Sequence, residues 1–251
     1  MTGIDLSAFA LIVVAPFVGS FLGVVIRRLP DHESIVRGRS HCQHCGIGLT
    51  PRDLIPLASW LAARGRCRHC GTWLGWFYPG VELASVAIAL VSLWLDSGVA
   101  AWLDWGLGCW LLVLGWIDVR RWVLPDALTL SLVLAGIAAA WWFAHGELHD
   151  RSVGAVGGLL FLWAVGALYR RWRGRDGLGF GDAKLFAAGG AWVGASGLPS
   201  VLFGAAVAAL VVAGGLALAL PRVNRRGSST ALATTTSDDG PNAPIDGEAR
   251  P

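Results

Sequence analysis

The sequence predicts an all-α polytopic membrane protein of about seven transmembrane helices, with a small cytoplasmic zinc-ribbon-like insert after the first helix. Three observations predict it. Of 251 residues, 55% are hydrophobic and only 15% are charged, where a soluble domain carries about 25% charged residues. The apolar residues fall in blocks near bilayer length, not in periodic stripes. Four cysteines stand as two Cys-x-x-Cys pairs in one polar stretch.

Residues 4–26 are the first apolar run, and the unit spanning 1–28 reads as the first membrane helix. No basic residue precedes the run and no small-residue cleavage site ends it cleanly, so it does not read as a standard cleaved signal peptide. Arg27 and Arg28 follow at once, which puts the N-terminus outside and residue 27 onward in the cytoplasm. Residues 29–78 form the polar insert, rich in arginine and in turn formers such as Pro30, Gly38, Pro51 and Gly65. A segment this small needs a metal or disulfides to hold together.

Six further apolar runs at 79–95, 100–117, 123–144, 152–169, 183–195 and 198–220 make up a membrane core over 79–221. The 96–101 and 145–150 loops carry Asp96, His145, Glu147 and Asp150, whereas the 118–122 and 170–182 loops are rich in arginine. Seven crossings, N-terminus outside and C-terminus inside, satisfy that alternation. Residues 222–251 are polar, with Thr234-Thr235-Thr236 and Asp238-Asp239-Gly240, and are predicted to be a disordered cytoplasmic tail. The net charge is +3, and Lys184 is the one lysine among 20 basic residues. Arginine clusters lie between apolar runs instead of on one face of a folded domain, which argues against nucleic acid as a partner and for the lipid bilayer.

Cys42-Gln43-His44-Cys45 and Cys67-Arg68-His69-Cys70 have the spacing that lets four thiolates close on one tetrahedral ion. A reducing cytoplasm disfavours disulfides, so Cys42, Cys45, Cys67 and Cys70 are predicted to hold a structural zinc. His41, His44 and His69 are competing ligands, read here as solvated neighbours. Cys109 falls inside an apolar run and reads as a buried, inert thiol.

Asp118 closes the 100–117 run and Asp182 opens the 183–195 run, so the alternating topology sets both at similar depth on the cytoplasmic face. Ionisable residues there are costly and mark function by default. Two carboxyls that share a proton can activate a water, one as base and one as acid, and so hydrolyse a peptide bond. Gly179 and Gly181 allow backbone to approach an extended substrate strand, and Lys184 belongs to the same substrate-side turn. The structural alternatives are an N-cap at Asp182 and a salt bridge from Asp118 to Arg120, Arg121 or Lys184. Asp126, after Pro125, is a third carboxylate, with capping its expected role. A small transporter using intramembrane carboxylates as an ion or proton relay is the reading from a different class. A zinc-ribbon scaffold without chemistry is a third.

In order along the chain, Gly19-Ser20-Phe21-Leu22, Arg28-Leu29-Pro30, both cysteine pairs, Arg64-Gly65-Arg66-Cys67, Tyr78-Pro79-Gly80-Val81-Glu82, Ile117-Asp118, Leu124-Pro125-Asp126 and Gly179-Phe180-Gly181-Asp182-Ala183-Lys184 resemble the type IV prepilin peptidase family of GxGD aspartyl proteases. The resemblance covers roughly residues 15–195. It implies Asp118 and Asp182 as the catalytic pair, in the inner membrane of a bacterial cell. It also implies cleavage of a short basic leader from type IV prepilins or type II secretion pseudopilins on the cytoplasmic side. Many members also methylate the new N-terminus with S-adenosylmethionine, which the resemblance carries over as a second activity. Two features depart from the pattern: Gly23 stands where the family usually has asparagine, and a polar stretch from Asn224 replaces a final helix.

Overall fold

The computed structural model describes residues 6–35, 40–42, 44–175 and 177–219. The expected tail at 222–251 lies outside the described residues. Seven α-helices form among them: α1 (Leu6–Arg28), α2 (Ala58–Ala62), α3 (Phe77–Leu95), α4 (Val99–Arg121), α5 (Asp126–Phe143), α6 (Leu148–Arg173) and α7 (Phe180–Ala219). All except α2 are long and apolar enough to cross a membrane, and no named strand appears among the described residues. Trp94, Leu134, Trp142, Leu160 and other large apolar side chains face outward, as lipid-facing surface requires.

The runs at 183–195 and 198–220 both fall in α7, two helical stretches joined across a kink at Gly194, where φ is 77° and ψ 173°. At 40 residues α7 is about twice the length one crossing needs. A glycine is required at the break: a Cβ there would lie 2.0 Å from Oδ2 of Asp150, which also accepts a hydrogen bond from the Ser196 hydroxyl at 3.3 Å. Residues through Val201 form one compact unit, and the described part of a second runs from Leu202 to Ala219, with Phe203, Leu210 and Val211 exposed.

The tightest packing joins α1 to α3. A Cβ on Gly19 would stand 2.7 Å from the Cα of Glu82, so the backbones meet at a small-residue seam of the kind that associates helices in lipid. Gly23 lies one turn on, facing Tyr78. The Tyr78 ring occupies the space a larger side chain would need, with Cδ1 2.8 Å from where a Cβ would stand. Ser85 on α3 donates to the Ala15 carbonyl at 2.8 Å, and its own carbonyl accepts the Trp105 indole N–H at 3.2 Å. Cys109 packs in the same buried cluster as Leu11, Ala15, Ala89 and Trp105, as an inert thiol would. A separate cluster of Leu114, Leu132 and Ala188 ties α4 and α5 to α7.

The insert is built from two matching turns. The Cys42 amide donates to the Ile47 carbonyl and the Gly46 amide to the Cys42 carbonyl; Cys67, Thr72 and Gly71 repeat both bonds, all four at 2.9 Å. Gly46 and Gly71 take φ of 71° and 70°, the left-handed conformation that glycine adopts without strain. Behind them Trp60, Trp73 and Trp76 pack with ring centroids 4.4 to 6.0 Å apart, a small aromatic cluster in which Trp73 and Trp76 stay exposed.

Candidate active site and metal centre

Asp118 lies in the last turn of α4, and the chain reverses just after it. Trp122 takes a left-handed conformation, φ 54°, and its amide closes on the Asp118 carbonyl at 2.8 Å. Asp182 lies in the first turn of α7, and Oδ2 of its carboxylate accepts the Gly179 amide at 3.2 Å. Asp182 therefore reaches back to a free amide from inside the helix, a partial form of the capping expected of it, and its other oxygen makes no hydrogen bond among the described residues. The two helix ends meet. Asp118, Trp122, Leu124, Gly179, Gly181 and Asp182 line one pocket of about 330 Å3.

The salt-bridge alternative for Asp118 does not form. Arg121 pairs with Asp31 at 2.8 Å, Lys184 pairs with Asp126 at 2.5 Å, and Asp118 has no ion pair among the described residues. Lys184 also sits 4.6 Å from the Phe180 ring centroid, and it is not among the residues lining the pocket. Asp126 is corrected too: Pro125 holds the N-cap position of α5 with no side-chain cap. Its carboxylate instead fastens the start of α5 to the start of α7. Gly181 is bare for a steric reason, because a Cβ would lie 3.1 Å from Leu124 Cβ.

The four cysteines converge as their spacing predicts. Their sulfur atoms all lie within 4.8 Å of one another, with Cys42 and Cys70 at 3.9 Å, and no histidine joins the group. That donor set can hold one metal ion. Hydrogen bonding with Thr72, at its hydroxyl and then at its amide, brings the Cys70 thiol down to about 6. The Ile47 amide acts in the same sense on Cys45, yet burial and the neighbouring sulfurs push that thiol up to about 11. Crowded thiols that resist losing their last protons are what a bound cation relieves.

One residue of the insert's attachment was missed as such in the sequence. Glu82, only 5% exposed on α3, accepts the Leu57 amide at 2.8 Å. Leu57 has φ 58°, a strained conformation for a branched side chain.

Residues 13–95 match the bacterial peptidase A24 N-terminal domain, and residues 105–214 match the type IV leader peptidase family. Among curated proteins, the chain is 41% identical to a prepilin leader peptidase/N-methyltransferase of Burkholderia pseudomallei strain 1026b, covering 84% of this chain and 76% of that protein. It is 39% identical to one of Pectobacterium carotovorum subsp. carotovorum, covering 81% of each. A third, from Dichelobacter nodosus, is 33% identical over 86% of this chain and 85% of that protein. No solved structure matches. The helical core, the four-cysteine insert and these relatives together make the chain a member of the type IV leader peptidase family.

Proposed function

We propose that the protein is an aspartic peptidase of the bacterial inner membrane that removes the leader peptide from prepilins or pseudopilins. The observation that carries this reading is the shared pocket of Asp118 and Asp182. Of the two carboxyls, the ionised one takes a proton from water as the water oxygen adds to the scissile carbonyl carbon. The protonated one gives its proton to the carbonyl oxygen, and a proton passes to the leaving nitrogen as the C–N bond breaks. The Gly179 amide orients Asp182, and the bare Gly181 lets Leu124 close against the backbone beside it.

The insert, the Arg-rich helix ends and both aspartates belong on the cytoplasmic side by the arginine distribution. Zinc is the ion that best suits four thiolates, and in a closed site it has a structural role. S-adenosylmethionine, when bound, supplies the methyl group for the new N-terminal amine, an activity that the relatives' names include. The transporter reading fits less well, because Asp118 and Asp182 stand at helix ends and not along a path through the bilayer.

The test is cleavage of a purified pseudopilin by Asp118→Asn and Asp182→Asn protein. Each variant should lose roughly 100-fold to 10,000-fold in rate while keeping its metal and its melting temperature. Cleavage at the wild-type rate by either one refutes the pair.

A further inference from the structure

A second and larger space, about 870 Å3, lies between the insert and the ends of α1, α3 and α4. Its size is that of a site for a nucleoside-sized molecule. At one end two cations converge on one aromatic ring. The Arg27 guanidinium sits 4.6 Å from the Phe77 ring centroid and 4.8 Å from that of Tyr78. The Arg120 guanidinium sits 5.4 Å from Phe77 and 5.7 Å from Trp116. Neither arginine has an ion pair among the described residues. Two like charges held at one ring repel each other, and an anion beside them reverses the sign of that cost.

Beside Arg120 a hydrogen-bond donor is left over. Trp116 Nε1 is buried with no partner, the only such side-chain nitrogen or oxygen among the described residues. A buried unsatisfied N–H costs about 1–3 kcal/mol, so it calls for an acceptor that the described residues do not supply. Arg27, Arg120 and Trp116 all line the groove, as do Trp60, Tyr78 and Glu82. Two guanidinium groups and one N–H call for a compact oxyanion, a carboxylate or a phosphate. The aromatic lining suits a flat base or a sulfonium.

We propose that this groove is the methyl-donor site, with Arg27, Arg120 and Trp116 holding the carboxylate of S-adenosylmethionine. The assignment rests on the methyl-transfer part of the function proposed above. An anionic phospholipid headgroup offers related chemistry at the same helix ends, so the experiment must separate the two.

The probe is S-adenosylhomocysteine, which keeps the carboxylate and the nucleoside, set against 5′-methylthioadenosine, which lacks the carboxylate. Metal-loaded protein is placed in nanodiscs of phosphatidylcholine alone, and binding is read by calorimetry. Arg27→Gln and Arg120→Gln should each weaken S-adenosylhomocysteine at least about tenfold and leave 5′-methylthioadenosine unchanged, which also shows that the groove is folded. Trp116→Phe keeps the ring, loses the N–H and should weaken only the carboxylate-bearing ligand. Unchanged S-adenosylhomocysteine affinity in both arginine variants overturns the assignment. So does equal weakening of the two ligands, or a wild type that binds neither in phosphatidylcholine but, in nanodiscs with added phosphatidylglycerol, binds that lipid through Arg27 and Arg120. Because binding is measured without pseudopilin, protein that binds through these residues but cuts nothing fails the aspartate pair and supports the groove.

Discussion

Leu57 donates its backbone N–H to Oε2 of Glu82 across 2.8 Å, joining the cysteine insert to the buried face of α3. Glu82→Ala leaves that amide without an acceptor and should lower stability by about 1–3 kcal/mol. Glu82→Gln keeps an acceptor oxygen and should cost less. Thermal unfolding in detergent, followed by tryptophan fluorescence, separates the two; equal losses would mean that packing and not the hydrogen bond is at stake.

Gly181→Ala drives a methyl group against Leu124, whose Cβ and Cδ1 would be 3.1 and 3.2 Å away. Both positions line the pocket, so the shift displaces the aspartates' surroundings. Cleavage should fall roughly tenfold to 100-fold, the scale of a small misplacement near reacting atoms. Adding Leu124→Ala should restore part of the rate, and a double variant no faster than Gly181→Ala would rule out the clash as the cause.

Elemental analysis of the purified chain should find close to one zinc, and Cys42→Ser/Cys67→Ser should find almost none. Loss of the ion should open residues 29–76 to limited proteolysis, since the insert's own apolar core is small. Full metal content in the double variant would place the ion elsewhere.

Acid should loosen the insert in a way that one carboxylate explains. Hydrogen bonds from the Thr50 hydroxyl and amide, with Arg68 nearby, hold Asp53 below its ordinary value of 3.8. The unfolded chain therefore binds the proton first, and this contribution is complete above about pH 4 and fades as pH falls through the lower folded value. Asp53→Asn should flatten that acid limb of a stability-against-pH curve and leave neutral pH little changed in slope. An identical acid limb in the variant would acquit Asp53.

Much of this was legible in one dimension. Apolar runs locate helices because every backbone amide in a bilayer must be satisfied within its own segment, and paired thiols declare a metal site through spacing alone. Helix ends were less legible. Asp118 looked like a loop residue but lies inside α4, because the arginine-rich stretch through Arg121 continues the helix. Lys184 looked like part of the substrate turn, and only the fold shows Asp126 beside it. Arg27 served only as a topology signal, and nothing marked Trp116. That an indole N–H lacks a partner is a fact about what surrounds it in three dimensions, which no local pattern encodes.

The seam at Gly19 has a consequence for how the chain is made. On the ribosome α1 emerges well ahead of α3, and the whole of 29–76 is synthesised between the two surfaces that must meet. Until then α1 sits in lipid with its glycine face uncovered. Bringing the helices together closes a loop, at an entropic cost that grows with the length of free chain. Knuckles that have already closed on their ion shorten that free chain. Metal supply during synthesis would then govern the yield of assembled protein, even though the ion stands apart from the aspartates.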